Sequence, residues 1–276
     1  MEPDELIFGK NPVLAFLEQA ERLHDCSAVS DAGATSPQVN INKIMVVSGA
    51  QPDGRINRIQ ELARRQHIPV HVCQRSKLDQ LCGSDQRHQG VVAFIAAAPV
   101  WQLADFLGML EADRQKAELS GQSLDGYTVV VVDGIEDPHN LGAIIRVAEA
   151  SGVKCLILPR RRSVGLTGTV AKVSAGAIAS LPLVQVSNLV HAIETLKKHG
   201  FWVVGLEGEA TQIYTQADLK RPLVVVIGSE QSGMGRLVAQ SCDFLLKIPM
   251  LGKTESLNAS VAAGIFFYEV VRQNRS

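Results

Sequence analysis

A cation interrupts an otherwise apolar helical run in DGIEDPHNLGAIIRVAEASG, Asp133 to Gly152. Arg146 lies among Ala143, Ile144, Ile145, Val147 and Ala148. On a helix its neighbours three and four positions away are Gly142, Ala143, Glu149 and Ala150, and the small ones leave room for a backbone or a ligand. A guanidinium stays protonated, so its chemistry is to pair with an anion such as Glu149 or to stabilise negative charge that develops in a reaction. Asn140, earlier in the stretch, is either the N-cap of the helix or a hydrogen-bonding group of a site.

Two further loops carry small polar groups and backbone donors. GSEQSGMG, Gly228 to Gly235, contains one acid, Glu230, placed either to complement a helix dipole or to orient site groups. PMLGKTESLNAS, Pro249 to Ser260, offers Ser256 and Asn258, which are candidate caps for the helix that follows and equally candidates for a pocket wall. Familiar cofactor signatures are absent. No GxGxxG follows the first strand of this region and no GxxxxGK[ST] exists, which disfavours a dinucleotide site and a phosphate-cradling loop. No HExxH or paired His/Cys spacing suggests a metal, and GSEQSG is not the GxSxG elbow of a hydrolase.

The elements that position these loops follow from hydrophobic pattern. From Tyr127 onward apolar runs and helical periodicities alternate, with strands expected at 128–133, 154–158, 183–186, 202–206, 223–227 and 244–248. Helices are expected at 141–151, with Gly152 as the stop, and at 168–179, 188–199, 235–240 and about 256–273. Such alternation predicts an α/β domain, 127–276, with a mostly parallel sheet covered on both faces. In such sheets ligands bind beyond the carboxyl ends of the strands, where all three loops lie. The first 98 residues read as a smaller α/β unit. Its helices are expected at Asn11–Glu21 and Arg55–Gln66, and its strands at 44–47, 70–73 and 90–97. Cys26 to Asn40 is small and polar and reads as a flexible insertion. Residues 99–126, with one helix at Leu103–Glu118, read as the linker.

At 276 residues and 46% hydrophobic content the chain can build sizeable cores, and no apolar run approaches the ~18 residues of a membrane span. Its five scattered cysteines form no CxxC pair, and the N-terminus lacks an apolar signal core, so a cytoplasmic protein with reduced thiols, no disulfide framework and no membrane partner is expected. The net charge of -1 does not announce a nucleic-acid binder, yet the stretch from Lys154 to Lys172 carries Arg160, Arg161 and Arg162 and no acid. That loop and the helix basics Arg55, Arg58, Arg64 and Arg65 could track phosphates, or simply solubilise a surface.

DPHNLGAIIR, VIGSEQSGMG and IPMLGKTESLNASVAAG resemble, in order and position, the three signature motifs of the SpoU, or TrmH, family of RNA ribose 2'-O-methyltransferases of the SPOUT superfamily. The resemblance implies a trefoil-knotted methyltransferase domain, S-adenosylmethionine as cofactor, no metal, RNA and not DNA as partner, and a homodimer with its site at or near the subunit interface. It implies a catalytic role for Asn140, Arg146, Glu230, Ser256 and Asn258, with Arg146 activating the ribose hydroxyl or stabilising its alkoxide. It places Leu206, Gly228, Ile248 and Leu257 around the cofactor. Upstream, IFGKNPVLAFLE and RHQGVVAFI resemble the L30e-like substrate-binding domain of bacterial 23S rRNA guanosine 2'-O-methyltransferases. Lys10, Asn11, Arg87, His88 and Gln89, with Arg160 to Arg162, are then the expected RNA contacts. Methylation of a 23S rRNA guanosine is the leading expectation. A tRNA ribose methyltransferase and a non-catalytic RNA-binding assembly factor are the alternatives.

Overall fold

Two runs that are apolar at every position, TVVVV and LVVVI, become the buried centre of a parallel sheet, as strands covered on both faces must. In the computed structural model, residues 5–27, 41–48, 53–82, 88–95, 100–161 and 163–275 are described. They fall into two compact units, one comprising Met1–Pro99 and Leu166–Ser180, the other Val100–Gly165 and Leu181–Ser276.

The first unit starts with β1 (Glu5–Phe8), α1 (Lys10–Ser27), β2 (Ile41–Val47), α2 (Gly54–Arg65), β3 (Val70–Cys73), α3 (Arg75–Cys82) and β4 (Val91–Ile95). Its four strands lie in the order β1-β4-β2-β3, antiparallel except for β2 with β3. Phe8, Met45, Leu78, Val92 and Phe94 form one cluster of its core. Neither β1 nor α3 is anticipated from the sequence: ELIF is too short to show a period, and RSKLDQLC buries only Leu78. α1 extends through Cys26, and residues 28–40 of the expected insertion lie outside the described residues.

The second unit begins with α4 (Leu103–Ser120), inside the stretch expected as linker. Phe106 and Leu110 are fully buried in its core, Trp101 pairs with Val184, and the Tyr127 hydroxyl donates to Asp113 at 3.0 Å. Burial, and then the Asp113 carboxylate, raise the Tyr127 phenol well above its ordinary range. Then come β5 (Thr128–Val132), α5 (Pro138–Ala150) and β6 (Cys155–Pro159); after the short α6 (Gly168–Val173) and α7 (Ala177–Ser180), which belong to the first unit, the second resumes with β7 (Leu183–Val186), α8 (Leu189–Lys198), β8 (Trp202–Leu206), β9 (Gln212–Ile213), β10 (Leu223–Ile227), α9 (Arg236–Gln240), β11 (Phe244–Lys247) and α10 (Ala259–Asn274). The seven strands run β7-β6-β5-β10-β8-β11-β9, and every pairing described between them is parallel.

The helix expected over 168–179 is divided. Ala175 and Gly176 take φ of +54° and +98°, which ends α6 before α7 starts. Both helices group with the first unit, where a Cβ at Gly176 would stand 2.7 Å from that of Ala15. No helix among the described residues is long and apolar enough to cross a membrane.

The last helix anchors its own neighbourhood through polar groups. Gln273 accepts from the Leu219 amide at 3.0 Å and donates to Ala217 at 3.1 Å and to Glu269 at 2.8 Å. Glu269 is 7% exposed and takes a fork of two bonds from Arg272, at 2.8 and 2.7 Å. The Arg272 bond, ahead of the opposing desolvation, holds this carboxyl below its ordinary pKa of 4.5. A lowered folded pKa contributes stability that is fully present above the unfolded value and is lost as pH falls through the folded one. Arg272 is 67% exposed, so solvent screens the pair and its contribution is small. Glu269→Gln is therefore expected to lower the melting temperature at pH 7, with the difference closing in thermal denaturation scans as the pH falls from the ordinary 4.5 through the lowered folded pKa.

Candidate functional site

Registry brings the strand ends level. Ile227 pairs with Val132, Val226 with Gly205, and Leu246 with Leu206, so β5, β10, β8 and β11 finish along one edge. The loops after β5, β10 and β11 leave from that edge.

The first loop turns into α5 differently from the sequence expectation. Asp137, not Asn140, is the N-cap, its carboxylate accepting from the His139 amide at 2.9 Å, and Pro138 starts the helix. Proline suits this position because its φ is already helical and the missing N–H has no partner to lose. Asn140 is thereby freed, one turn in, to point its amide elsewhere. Gly152, φ +83°, ends α5 as expected. In the second loop Ser229 and Gly233 exchange both backbone bonds, at 3.0 and 2.9 Å, and the Ser229 and Ser232 hydroxyls lie 2.7 Å apart. Asp133 ties this loop to the first by accepting from the Gly235 amide at 2.8 Å. In the third loop Asn258, not Ser256, caps α10.

One residue from each loop meets at a single point. Asn258 Oδ1 accepts from the Ser260 amide at 3.0 Å and its hydroxyl at 2.6 Å, which fixes the amide's orientation. Its Nδ2 is left to donate to Asn140 Oδ1 at 2.8 Å and to Glu230 Oε2 at 3.2 Å. Asn140, Glu230 and Asn258 thus form one network across 118 residues of chain.

Beside the network lies a cavity of about 250 Å³. Leu206, Gly228, Ile248 and Leu257 all line it, with Glu230 and Ser256 at its polar side. Its walls also hold Glu207, Glu209 and Glu255 and, among the described residues, no lysine, arginine or histidine. A phosphate would meet only carboxylates there, whereas a cationic ligand would be favoured. The three additional glutamates escape the sequence reading; the usable signal was the acid pair in GLEGE directly after β8. An adjoining open cavity of about 850 Å³ is lined by Asp133–Asp137 and Asn140 on one side and Ser229–Gly233 on the other. No His/Cys/Asp/Glu group able to hold a metal occurs among the described residues.

Arg146 is placed apart from both cavities: it is exposed, it lines neither of them, and it makes no bond with Glu149 or any other described residue. Arg160 and Arg161 are exposed, and Arg162 lies outside the described residues. In the first unit Lys10 is half-buried, Asn11 and Gln89 are exposed, and Arg87 lies outside the described residues. His88, which the resemblance implies as an RNA contact, is 2% exposed.

The SpoU rRNA methylase family profile matches residues 127–268, and an RNA 2'-O ribose methyltransferase substrate-binding profile matches residues 6–101. The chain belongs to the SpoU rRNA methylase family. A candidate TrmH family tRNA/rRNA methyltransferase of Staphylococcus saprophyticus is 48% identical over 233 residues, 84% of this chain and 88% of that protein. Its Staphylococcus haemolyticus counterpart is 47% identical over the same share of the chain. Among solved structures, the SpoU methyltransferase AviRb from Streptomyces viridochromogenes in complex with AdoMet shares the fold. Its TM-score is 0.73 at 22% identity, over 99% of this chain and 91% of that one. An rRNA methyltransferase from Sinorhizobium meliloti, also AdoMet-bound, shares it with a TM-score of 0.69 at 21% identity, over 94% of each chain. The mixed α/β architecture with a mostly parallel sheet is therefore that of a SpoU methyltransferase.

Proposed function

We propose that this SpoU-family chain methylates a ribose 2'-hydroxyl of RNA, at a guanosine of 23S rRNA, using S-adenosylmethionine held in the cavity beside Asn140, Glu230 and Asn258. The observation that carries the reading is the meeting of three loops at Asn140, Glu230 and Asn258, beside one small cavity whose described ionisable lining is wholly acidic. S-adenosylmethionine carries net positive charge at neutral pH and no phosphate, which fits such a lining. Leu206, Ile248 and Leu257 supply apolar walls, and Gly228 lets the backbone approach.

Leu206, Gly228, Ile248 and Leu257 would hold S-adenosylmethionine there, and it would supply a methyl group already activated on a sulfonium, with the hydroxyl proton of the accepting ribose passing to solvent. The chain's task is to hold the oxygen in line and to balance the charge that gathers on it. Arg146 is the group for the second task. Since it stands outside the cavity of its own chain, we assign it to the site of a second copy, in a homodimer. Support comes from α10, which packs along α5 and leaves Val261 49% and Tyr268 52% exposed, seven residues apart on one face. A 2'-hydroxyl exists only in RNA, so DNA is not a substrate. The substrate-binding profile on the first unit supports a dedicated RNA contact there.

Methyl incorporation from labelled S-adenosylmethionine, offered in parallel to unmodified 23S rRNA and unmodified bulk tRNA, tests this reading. Label mapped to the 2'-oxygen of one 23S guanosine is the expected result. Label in tRNA alone keeps the chemistry and overturns the substrate. Cofactor binding without label in either RNA overturns the catalytic reading.

A further inference from the structure

His88 is a buried polar side chain of the first unit, 2% exposed, and both of its ring nitrogens are engaged. Nδ1 accepts from the Gly90 amide at 3.0 Å, so the ring is neutral there and carries its proton on Nε2, which donates to Asp79 at 2.9 Å. The bond to Gly90 closes a turn from residue i to i+2, the geometry that asparagine uses in an Asx turn. Within that turn Gln89 and Gly90 take φ of +53° and +84°, and the Val91 amide returns to the His88 carbonyl at 3.1 Å. Positive φ at both central residues is the type I′ pattern, and a glutamine does not adopt it without support.

The strained residue performs a specific task. Gln89 Oε1 accepts from the Lys10 amide at 3.1 Å, capping the first donor of α1 from 79 residues away. Lys10 in turn reaches Asp53 at 2.5 Å, and Asp53 caps α2 by accepting from the Arg55 amide at 2.8 Å. The starts of α1 and α2, with Lys10, Arg55, Arg75 and the Gln89–Gly90 turn, bound one open cavity of about 560 Å³.

We propose that His88 is a positioning residue for RNA binding: it locks the Gln89–Gly90 turn, and through the Gln89 side chain it sets the start of α1 and the placement of Lys10. The proposal rests on the reading that this unit binds RNA through Lys10. His88 never touches the RNA; its effect passes through Gln89. Loss of either residue's bond is therefore the loss of one device.

The test is affinity of the full chain for in vitro transcribed 23S rRNA by filter binding, with S-adenosylmethionine binding and thermal melting as measures of the fold. Lys10→Ala and Gln89→Ala are each expected to weaken RNA binding about fivefold to tenfold. His88→Phe removes the acceptor and matches Gln89→Ala, while His88→Asn, which rebuilds the i to i+2 bond, stays within about twofold of native. The double variant His88→Phe/Gln89→Ala is no weaker than either single one, a non-additivity that general loosening of the fold would not produce. If His88→Phe fails to fold, Asp79→Ala, at a 44% exposed position, frees the ring and takes its place in the cycle. Native RNA affinity in His88→Phe, in the Asp79→Ala substitute or in Gln89→Ala, or losses that multiply in the double variant, overturn the proposal. Native affinity in Lys10→Ala overturns the RNA-binding reading itself, and the role of His88 with it.

Discussion

Arg146→Ala is expected to reduce methyl transfer by about 10²- to 10³-fold while S-adenosylmethionine binds as it does to the native chain. The magnitude is that of removing one fixed donor from the position where negative charge develops. The unchanged binding follows from placement: Arg146 is exposed on α5 and lines neither cavity of its own chain. Nor should the fold suffer, because the side chain holds no hydrogen bond or ion pair with a described residue. Arg146→Lys keeps the charge but not the planar fork, and is expected to recover only part of the rate. Single-turnover kinetics with saturating RNA, beside calorimetry for the cofactor, check both halves. Near-native turnover in Arg146→Ala would remove the arginine from the chemistry. A second experiment separates its own chain from a second copy. Arg146→Ala subunits mixed with subunits defective in the cavity should regain activity if the arginine serves the site of a partner.

What the sequence made legible was the frame and the contents of the loops. TVVVV and LVVVI could only be buried strands, and the loops after them could only lie at the carboxyl edge. The grouping of Leu206, Gly228, Ile248 and Leu257 around one cavity was accessible through motif resemblance, not through pattern, since each alone reads as ordinary core. The errors share a cause: local signals compete, and only tertiary structure decides between them. Asn140 is as good a cap as Asp137, but Pro138 fixes the helix start and leaves Asn140 to Asn258. The 99–126 stretch reads as linker because its polar residues interleave with Phe106 and Leu110, whose burial depends on a sheet far along the chain. His88 sits beside exposed Gln89 in sequence, and nothing local says that one ring points inward while its neighbour points out. The acid pair Glu207 and Glu209 stands directly after β8, but it reads as a site wall only once the opposite walls of the cavity are known.

Gly228→Ala is the substitution expected to abolish the site from the cofactor side. A Cβ on Gly228 would stand 2.4 Å from the Gly233 carbonyl carbon and 2.5 Å from the Met234 backbone nitrogen, well inside van der Waals contact. Backbone cannot swing aside as a side chain does, so the turn at Ser229–Gly233 must move, and with it the wall that carries Glu230. Overpacking of this kind costs about 1–3 kcal/mol, or ~5- to 150-fold in affinity when the strain is relieved by opening the cavity. Gly205→Ala provides the contrast. Its Cβ would meet the Met234 methyl at 2.6 Å and a Leu245 methyl at 2.9 Å, both ends of flexible side chains that can yield. S-adenosylmethionine affinity by calorimetry should therefore fall far more for Gly228→Ala than for Gly205→Ala, at similar melting temperatures. Equal affinities in the two variants would place the cofactor elsewhere. A loss in Gly228→Ala alone, set beside unaltered binding in Arg146→Ala, would separate holding the methyl donor from stabilising the oxygen that receives it.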